Sequence, residues 1–395
     1  MHALPYWRLS GYYFFYFAFI GAFSPYFGLY LQSLSFSAWD IGLLMSQMQL
    51  MRLFGPNLWG WLADRYGRRV PIIRLAAVAG LAGFSAFFWL DRLGGMLVAM
   101  AVLAFFWSAA QPLVETLTFD HLREERGRYS RIRLWGSVGF IVAVLGTGAV
   151  LDVVPLNGVL WVCWGILAGI VVFAAVVPDA PAVPHSHDSP AVGDILRQPR
   201  VRALLAACFA MSAAHGALYV FYSIHLADHG YSKAEVGALW SLGVLAEIVV
   251  FMLMARLTRR YSLRVLLLAS FAAAVLRFLL IGWGVESLAV MVLAQVMHGL
   301  TFGAYHASSI AAINLWFPGR AQGRGQALYS SISFGAGGLL GGLISGWTWD
   351  GIGAGWTYTL ASVFAAGGFA LVWRWVRADA AVDVPGEAKT ADPVP

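Results

Sequence analysis

Charge is what this chain lacks first. Asp, Glu, Lys and Arg make up 12% of its 395 residues, against 60% hydrophobic, and the mean hydropathy is +0.71. A soluble domain carries about 25% charged residues, so the shortage excludes a soluble globular fold and marks an integral membrane protein. Cysteine is scarcer still. Cys163 and Cys208 both fall inside apolar runs, which leaves no metal spacing and no disulfide framework. No small-residue cleavage site follows the apolar run after Arg8, so that run reads as a span and not a signal peptide. No nucleophile–base set or phosphate loop occurs, which argues against a membrane enzyme. The net charge of +6 is no footprint of a nucleic-acid partner, because the basic residues sit in short loops between apolar runs.

What is present is length without charge. A spanning helix needs about 20 mostly apolar residues. Twelve such runs occur, at 9–33, 40–62, 70–90, 95–119, 131–151, 157–177, 201–227, 235–257, 264–284, 288–313, 325–347 and 355–376. They are too long and too uniformly apolar for barrel strands, which are about 10 residues with period-2 alternation. With the N-terminus placed inside, 22 Lys and Arg residues fall on the inner side, while only Arg92 and Lys233 fall outside. Both termini are therefore expected in the cytoplasm. Arg52 and Arg277 remain inside spans.

The segment 178–200, "PDAPAVPHSHDSPAVGDILRQPR", is the one long polar break and reads as a linker between two six-span halves, 1–177 and 201–377. Its His185, Ser186, His187 and Asp188 have metal-binding chemistry, but a solvated linker accounts for them. The tail 378–395 is rich in Ala, Pro and acids and is expected to be disordered.

The halves repeat. At a constant offset of 195 residues, "SAWDIGLL" (37–44) falls on "SKAEVGAL" (232–239) and "GWLADRYGRR" falls on "ARLTRRYSLR", with Gly21 on Gly216 and Tyr66 on Tyr261. Six spans separate the copies, so both share one orientation. Parallel halves about an axis along the membrane normal suit alternating access around a midplane site.

The string Gly-x-Leu-Ala-Asp-Arg-x-Gly-Arg-Arg (60–69) resembles the loop 2–3 signature of the major facilitator superfamily. The resemblance implies an all-α membrane protein with twelve transmembrane helices in two pseudo-symmetric six-helix bundles. It also implies a conformational latch made by Gly60, Asp64, Arg65, Gly67 and Arg68. Gly60 would let spans pack closely, and Asp64 would hold one half against the other in the outward-open state. The counterpart of Asp64 in the second half is Arg259, so the latch is expected on one side only.

Ionisable residues inside hydrocarbon are costly and usually functional. Glu115 and Glu247 are the acids well inside spans; Arg52, Arg277, His215, His298 and His306 join them, with Arg133 near the inner end of span five. Glu247, Arg277 and His298 sit at similar depth on three helices, which predicts one buried cluster. Burial favours a neutral carboxyl and a neighbouring guanidinium favours the anion. A Glu247 whose surroundings change as the halves rock would therefore load and release a proton at different faces, with His298 sharing it. The rival reading is a static ion pair bracing the helices.

The stretch 112–140, with Glu115, Arg133 eighteen residues on and Phe140 seven beyond, resembles lactose permease and its relatives. There the matching Glu and Arg form the substrate pair and an aromatic ring stacks on the ligand. The match breaks at Thr301, where that family has an acid, in span seven, which lacks its acids, and in span eleven, which lacks its Lys. The strings "RLWGSVGF" (133–140) and "YSKAEVGALWSLGVLAEIVVF" (231–251), Arg52 before "LFG", and His298 with His306 in "HGLTFGAYHASS" resemble the 3-phenylpropionate transporter family in the same branch. That resemblance implies proton-linked uptake of a small molecule, an aromatic monocarboxylate being one substrate type. Arg133 or Arg52 would hold the carboxylate. Phe140 and a tyrosine of span one (Tyr12, Tyr13, Tyr16, Tyr26 or Tyr30, with Tyr26 preferred) would line an aromatic slot. Glu115 beside Arg133 suits a hydroxyl-rich ligand instead.

The expected function is thus proton symport of a small organic solute by a monomer in the bacterial inner membrane. Glu247, Arg277, His298 and His306 would handle the proton, with no cofactor beyond the coupling ion. The partners are a small-molecule substrate and the lipid bilayer. A sugar or nucleoside symporter, an exporter using the same fold, and a sensor with a transporter fold are the alternatives. Small residues Gly338, Gly342 and Gly346 on span eleven permit close helix contact, and Pro25, Pro56 and Pro112 are potential kinks.

Overall fold

The computed structural model describes residues 4–123, 125–180 and 192–377. His185, Ser186, His187 and Asp188, and the tail 378–395, lie outside these residues. Twelve long helical spans follow one another: span 1 (Tyr6–Ser33), span 2 (Ala38–Tyr66), span 3 (Val70–Phe88), span 4 (Leu93–Leu122), span 5 (Tyr129–Leu151) and span 6 (Gly158–Val176), then span 7 (Pro199–Asp228), span 8 (Lys233–Arg260), span 9 (Leu263–Trp283), span 10 (Leu288–Trp316), span 11 (Gln322–Ile352) and span 12 (Ala354–Trp375). Eleven are long and apolar enough to cross a membrane. Span 2 has the length, 29 residues, but carries Asp40, Arg52, Asp64 and Arg65. The linker contributes one short helix, Gly193–Arg197.

The repeat is visible in local geometry. Ser37 and Asp40 form a full capping box at the start of span 2, and Ser232 and Glu235 form the same box on span 8. Each box satisfies amides that a helix start leaves open. The helices continue through Pro25, Pro56 and Pro112. The second half is the interrupted one. Span 7 breaks at His215. Span 10 contains a wide π-helical stretch, Gly299–Ala304, and span 11 contains another, Ser331–Gly337. Such stretches are frequent at functional sites.

Spans 1 to 6 pack into one lobe, where span 1 lies against spans 5 and 6, and span 4 against spans 2 and 3. In the other lobe, span 7 lies against spans 11 and 12, and span 10 against spans 8 and 9. The lobes meet where span 2 runs beside span 11, span 5 beside span 8 and span 1 beside span 7. Outward faces carry bare apolar side chains such as Trp161 (67% exposed) and Trp347 (73%), as a lipid-facing surface requires.

Close approach at the lobe interface depends on missing side chains. A Cβ on Gly42 would lie 2.9 Å from the Gly346 Cα, and one on Gly237 would lie 2.7 Å from the Val144 carbonyl oxygen. These two glycines are repeat partners. Gly60 is different: a Cβ there would meet nothing within 4 Å. The expectation that it allows close packing is corrected, because that turn of span 2 faces open space.

Candidate functional site

Between the lobes lies a cavity lined by Tyr16, Phe19, Phe23 and Trp107 from the first half, Gln49 and Arg52 from span 2, and Tyr219 from span 7. Tyr16 stacks on Trp107 with centroids 4.3 Å apart and planes at 8°. Arg52 reaches the Gln49 side chain at 3.5 Å and lies 5.6 Å from the Phe334 ring centre on span 11. One guanidinium among flat rings fits a planar acid, since arginine binds carboxylate in a fork and an aromatic body prefers aromatic walls.

Of the residues expected to bind substrate, Arg52 lines this cavity. Glu115 and Arg133 do not form the direct pair. Glu115 accepts hydrogen bonds from Gln111 and Tyr129, both at 3.2 Å, and Tyr16 donates to Gln111 at 3.4 Å. A polar chain thus runs from the cavity wall to Glu115. Arg133 lies 3.8 Å over the Phe17 ring, so an aromatic face occupies it where a carboxylate was expected. Span 5 starts at Tyr129, which puts Arg133 in its second turn, about 6 Å along the axis. Phe140 packs its backbone against Gly21 on span 1, where a Cβ would meet its carbonyl oxygen at 2.5 Å. Tyr26 is absent from the lining. Its hydroxyl lies 2.8 Å from the Val144 carbonyl and 3.0 Å from that of Lys233. Tyr26 is ten residues from Tyr16, about 15 Å further along the helix, at the place where the lobes join.

The second lobe holds the buried polar cluster. Glu247 Oε2 lies 3.8 Å from His298 Nε2. His215 faces the same space, its ring 6.1 Å from that of His298. His298 stacks on Phe302 and Phe302 on His306, at 5.4 and 5.8 Å, and His306 Nδ1 meets the Tyr329 hydroxyl at 2.8 Å. Arg277 is fully buried but is not the ion partner of Glu247. It donates to the Ala294 carbonyl (2.7 Å), to Thr301 Oγ1 (3.0 Å) and to Gln295 Oε1 (3.3 Å). Gln295 Nε2, His298 Nδ1 and His215 Nε2 are buried with no hydrogen-bond partner among the described residues. Buried polar atoms left open in this way call for water or a solute.

Between described residues, every hydrogen bond that crosses from one lobe to the other lies at the end remote from the N-terminus. Asp152, after span 5, accepts from the amides of Lys233 (2.8 Å) and Ala234 (3.0 Å) at the start of span 8. Asp350, in span 11, accepts from the amide of Ala38 (3.0 Å) at the start of span 2. Gln32 donates to Asp228 at 3.2 Å. Asp152 and Asp350 each meet a helix N-terminus, where open amides and the helix dipole favour an anion.

At the other end, Asp64, Arg65, Gly67 and Arg68 are exposed. Gly67 takes a left-handed φ of 63° that ends span 2. The ionic contact here is Arg69 with Asp120 of span 4, 2.5 Å apart and nearly buried. It joins two parts of one lobe, and sequence reasoning missed it because Asp120 sits beside an apparent span end. Gln49, Trp107, Tyr219, Tyr329, Asp152 and Asp350 also escaped notice, being polar or aromatic residues among many.

Two lobes of six spans around an aromatic-walled cavity with one arginine define a major facilitator transporter. The chain belongs to the MFS_1 like family, whose model matches residues 6–360. It is 27% identical over 362 residues to a probable 3-phenylpropionic acid transporter of Escherichia coli (strain K12), covering 90% of this chain and 94% of that one. It is 28% identical over 340 residues to a maltose permease of Geobacillus stearothermophilus, covering 85% of each. Among solved structures, the nucleoside transporter NupG matches with a TM-score of 0.76 at 18% identity, over 94% of this chain and 98% of that one. A bacterial homologue of the lysosomal transporter Spinster, inward-facing, matches at 0.72 and 16%, over 95% and 98%. The protein is a membrane transporter and not an enzyme.

Proposed function

We propose that the protein imports an aromatic monocarboxylate, of the phenylpropionate type, together with a proton, across a bacterial inner membrane with both termini in the cytoplasm. The observation that carries this reading is Arg52 in a cavity walled by Tyr16, Trp107, Phe19 and Tyr219. The carboxylate would meet Arg52 and the ring would slide between the aromatic walls. The similarity to a probable 3-phenylpropionic acid transporter supports the same class. Each copy holds both lobes and the whole cavity, so a monomer suffices.

Glu247 is the proton carrier in this reading. It sits on span 8, which runs beside span 5 of the other lobe, so rocking of the lobes would change its surroundings. His298, 3.8 Å away, would pass the proton after a shift of about 1 Å or through one water. Arg277 would hold Gln295 and Thr301, and with them the polar wall of span 10. With the N-terminus inside, the joined end is the outer one, and the exposed Asp64 region is a latch that engages when the inner end closes.

A second reading, a sugar or nucleoside, is favoured by the Tyr16–Gln111–Glu115–Tyr129 chain, which offers the donors and acceptors that hydroxyls need. Uptake into proteoliposomes under an imposed pH gradient tests the lead. Aromatic acid should accumulate in the wild type and only equilibrate in Glu247→Gln. Accumulation by the variant would remove Glu247 from the mechanism.

A further inference from the structure

A second hollow lies at the end of the bundle that carries the N-terminus, within the second lobe. Its walls are the turn from Thr258 to Arg264, Leu315 and Trp316 at the end of span 10, and Val376 and Arg377 after span 12. Three segments far apart in sequence therefore build it. All its charged lining residues are arginines: Arg259, Arg260, Arg264 and Arg377. None of the four forms a salt bridge with a described residue.

Four guanidinium groups around one hollow repel each other unless an anion joins them. Arg264 is held by its bond to the Trp373 carbonyl (2.8 Å), with its guanidinium 5.2 Å from that ring's centre. Its Nε is buried and has no partner among the described residues. The internal repeat adds a contrast. The first-half copy of this turn carries Asp64, and the second-half copy has Arg259 in that place, so the acid that would offset the bases is gone.

The rim is apolar and bare. Leu315 on the wall is 46% exposed, Trp373, which Arg264 touches, 61%, and Val265, next in sequence to Arg264, 48%. A free anion would use only the arginines. A ligand with a charged head and hydrocarbon tails would cover the rim as well. Loop charge that merely orients the chain needs neither the hollow nor the rim.

We propose that this pocket binds the phosphate of an anionic lipid headgroup, with the acyl chains lying along Val265, Leu315 and Trp373. The site is separate from the substrate cavity and does not depend on the substrate reading.

Native mass spectrometry of the detergent-purified full chain tests it, with phosphatidylglycerol and phosphatidylcholine supplied in equal amounts. The wild type should retain phosphatidylglycerol in preference. The triple variant R259Q/R260Q/R377Q leaves the Arg264 contact to Trp373 in place, and should bind it about tenfold more weakly. The control R8Q/R128Q/R202Q removes the same charge at the same end of the bundle and should bind as the wild type does. Equal weakening in both triples would mean diffuse surface charge and overturn the pocket. So would undiminished binding in the pocket variant. Displacement of the lipid from the wild type by millimolar inorganic phosphate would assign the arginines to a free anion and overturn the lipid assignment. If the pocket variant fails to fold, a wild-type preference below twofold over phosphatidylcholine overturns the proposal on its own.

Discussion

Arg52 and Glu247 stand at the same place in the two halves, 195 residues apart on spans 2 and 8. One half thus offers a base and the other an acid at equivalent positions. The repeat supplies the frame, and divergence at one position supplies the opposite charges that the proposed anion and proton handling would use.

Arg52→Ala is expected to abolish the thermal stabilisation that an aromatic acid gives the purified protein. A charge-assisted bond is worth about 1.5–3 kcal/mol, so affinity should fall at least tenfold. Arg52→Lys should retain part of it, because the charge survives and the fork does not. Stabilisation of Arg52→Ala equal to wild type would move the carboxylate to Arg133.

Glu115→Gln separates the two substrate readings. It keeps the shape and removes the charge at the end of the Tyr16–Gln111–Glu115 chain. Aromatic acid uptake should change less than threefold. A large loss confined to sugars or nucleosides, read by competition in the same vesicles, would favour the hydroxyl-rich ligand.

Asp152→Ala and Asp350→Ala remove carboxylates from the starts of spans 8 and 2. Loss of such a cap costs about 1 kcal/mol, so the pair should shift the balance between open and closed remote ends by roughly tenfold or more. Spin-label distances across that end should lengthen in the double variant. An unchanged distribution would show that the glycine contacts alone hold the lobes.

Gly42→Leu and Gly237→Leu place side chains where a Cβ already meets backbone within 3 Å. The remote end should fail to close, substrate should still bind, and transport should drop by more than tenfold. Full transport by either variant would exclude close approach at these glycines from the cycle.

Asp120→Asn breaks a nearly buried pair and strands Arg69. Removing one partner of a buried pair typically costs about 3–5 kcal/mol. The melting temperature should fall by several degrees, with substrate selectivity unaltered. An unaltered melting curve would mean that water replaces the carboxylate.

The spans were legible because apolar length is a one-dimensional signal, and the repeat because a constant offset survives in glycines and caps. Depth was legible too: Glu247, Arg277 and His298 do lie in one lobe's polar layer. Azimuth was not. Arg277 bonds to span 10 through Ala294, Gln295 and Thr301, and equal depth on spans 8 and 9 does not bring two side chains together. The tyrosines of span 1 defeat selection for a related reason. Tyr12, Tyr13, Tyr16, Tyr26 and Tyr30 are all at most 5% exposed, so burial cannot separate a cavity wall from a joint. Asp152 and Asp350 escaped notice because their partners are backbone amides in the other half.

The wide turn between His298 and His306 has a further consequence. A π stretch holds an added residue per turn, and one residue of α-helix is a rotation of about 100°. The column of His298, Phe302 and His306 runs through that stretch, each ring four residues from the next. Tightening span 10 into a regular helix would turn His306 about its axis relative to His298, re-aiming one imidazole without any lobe having to travel.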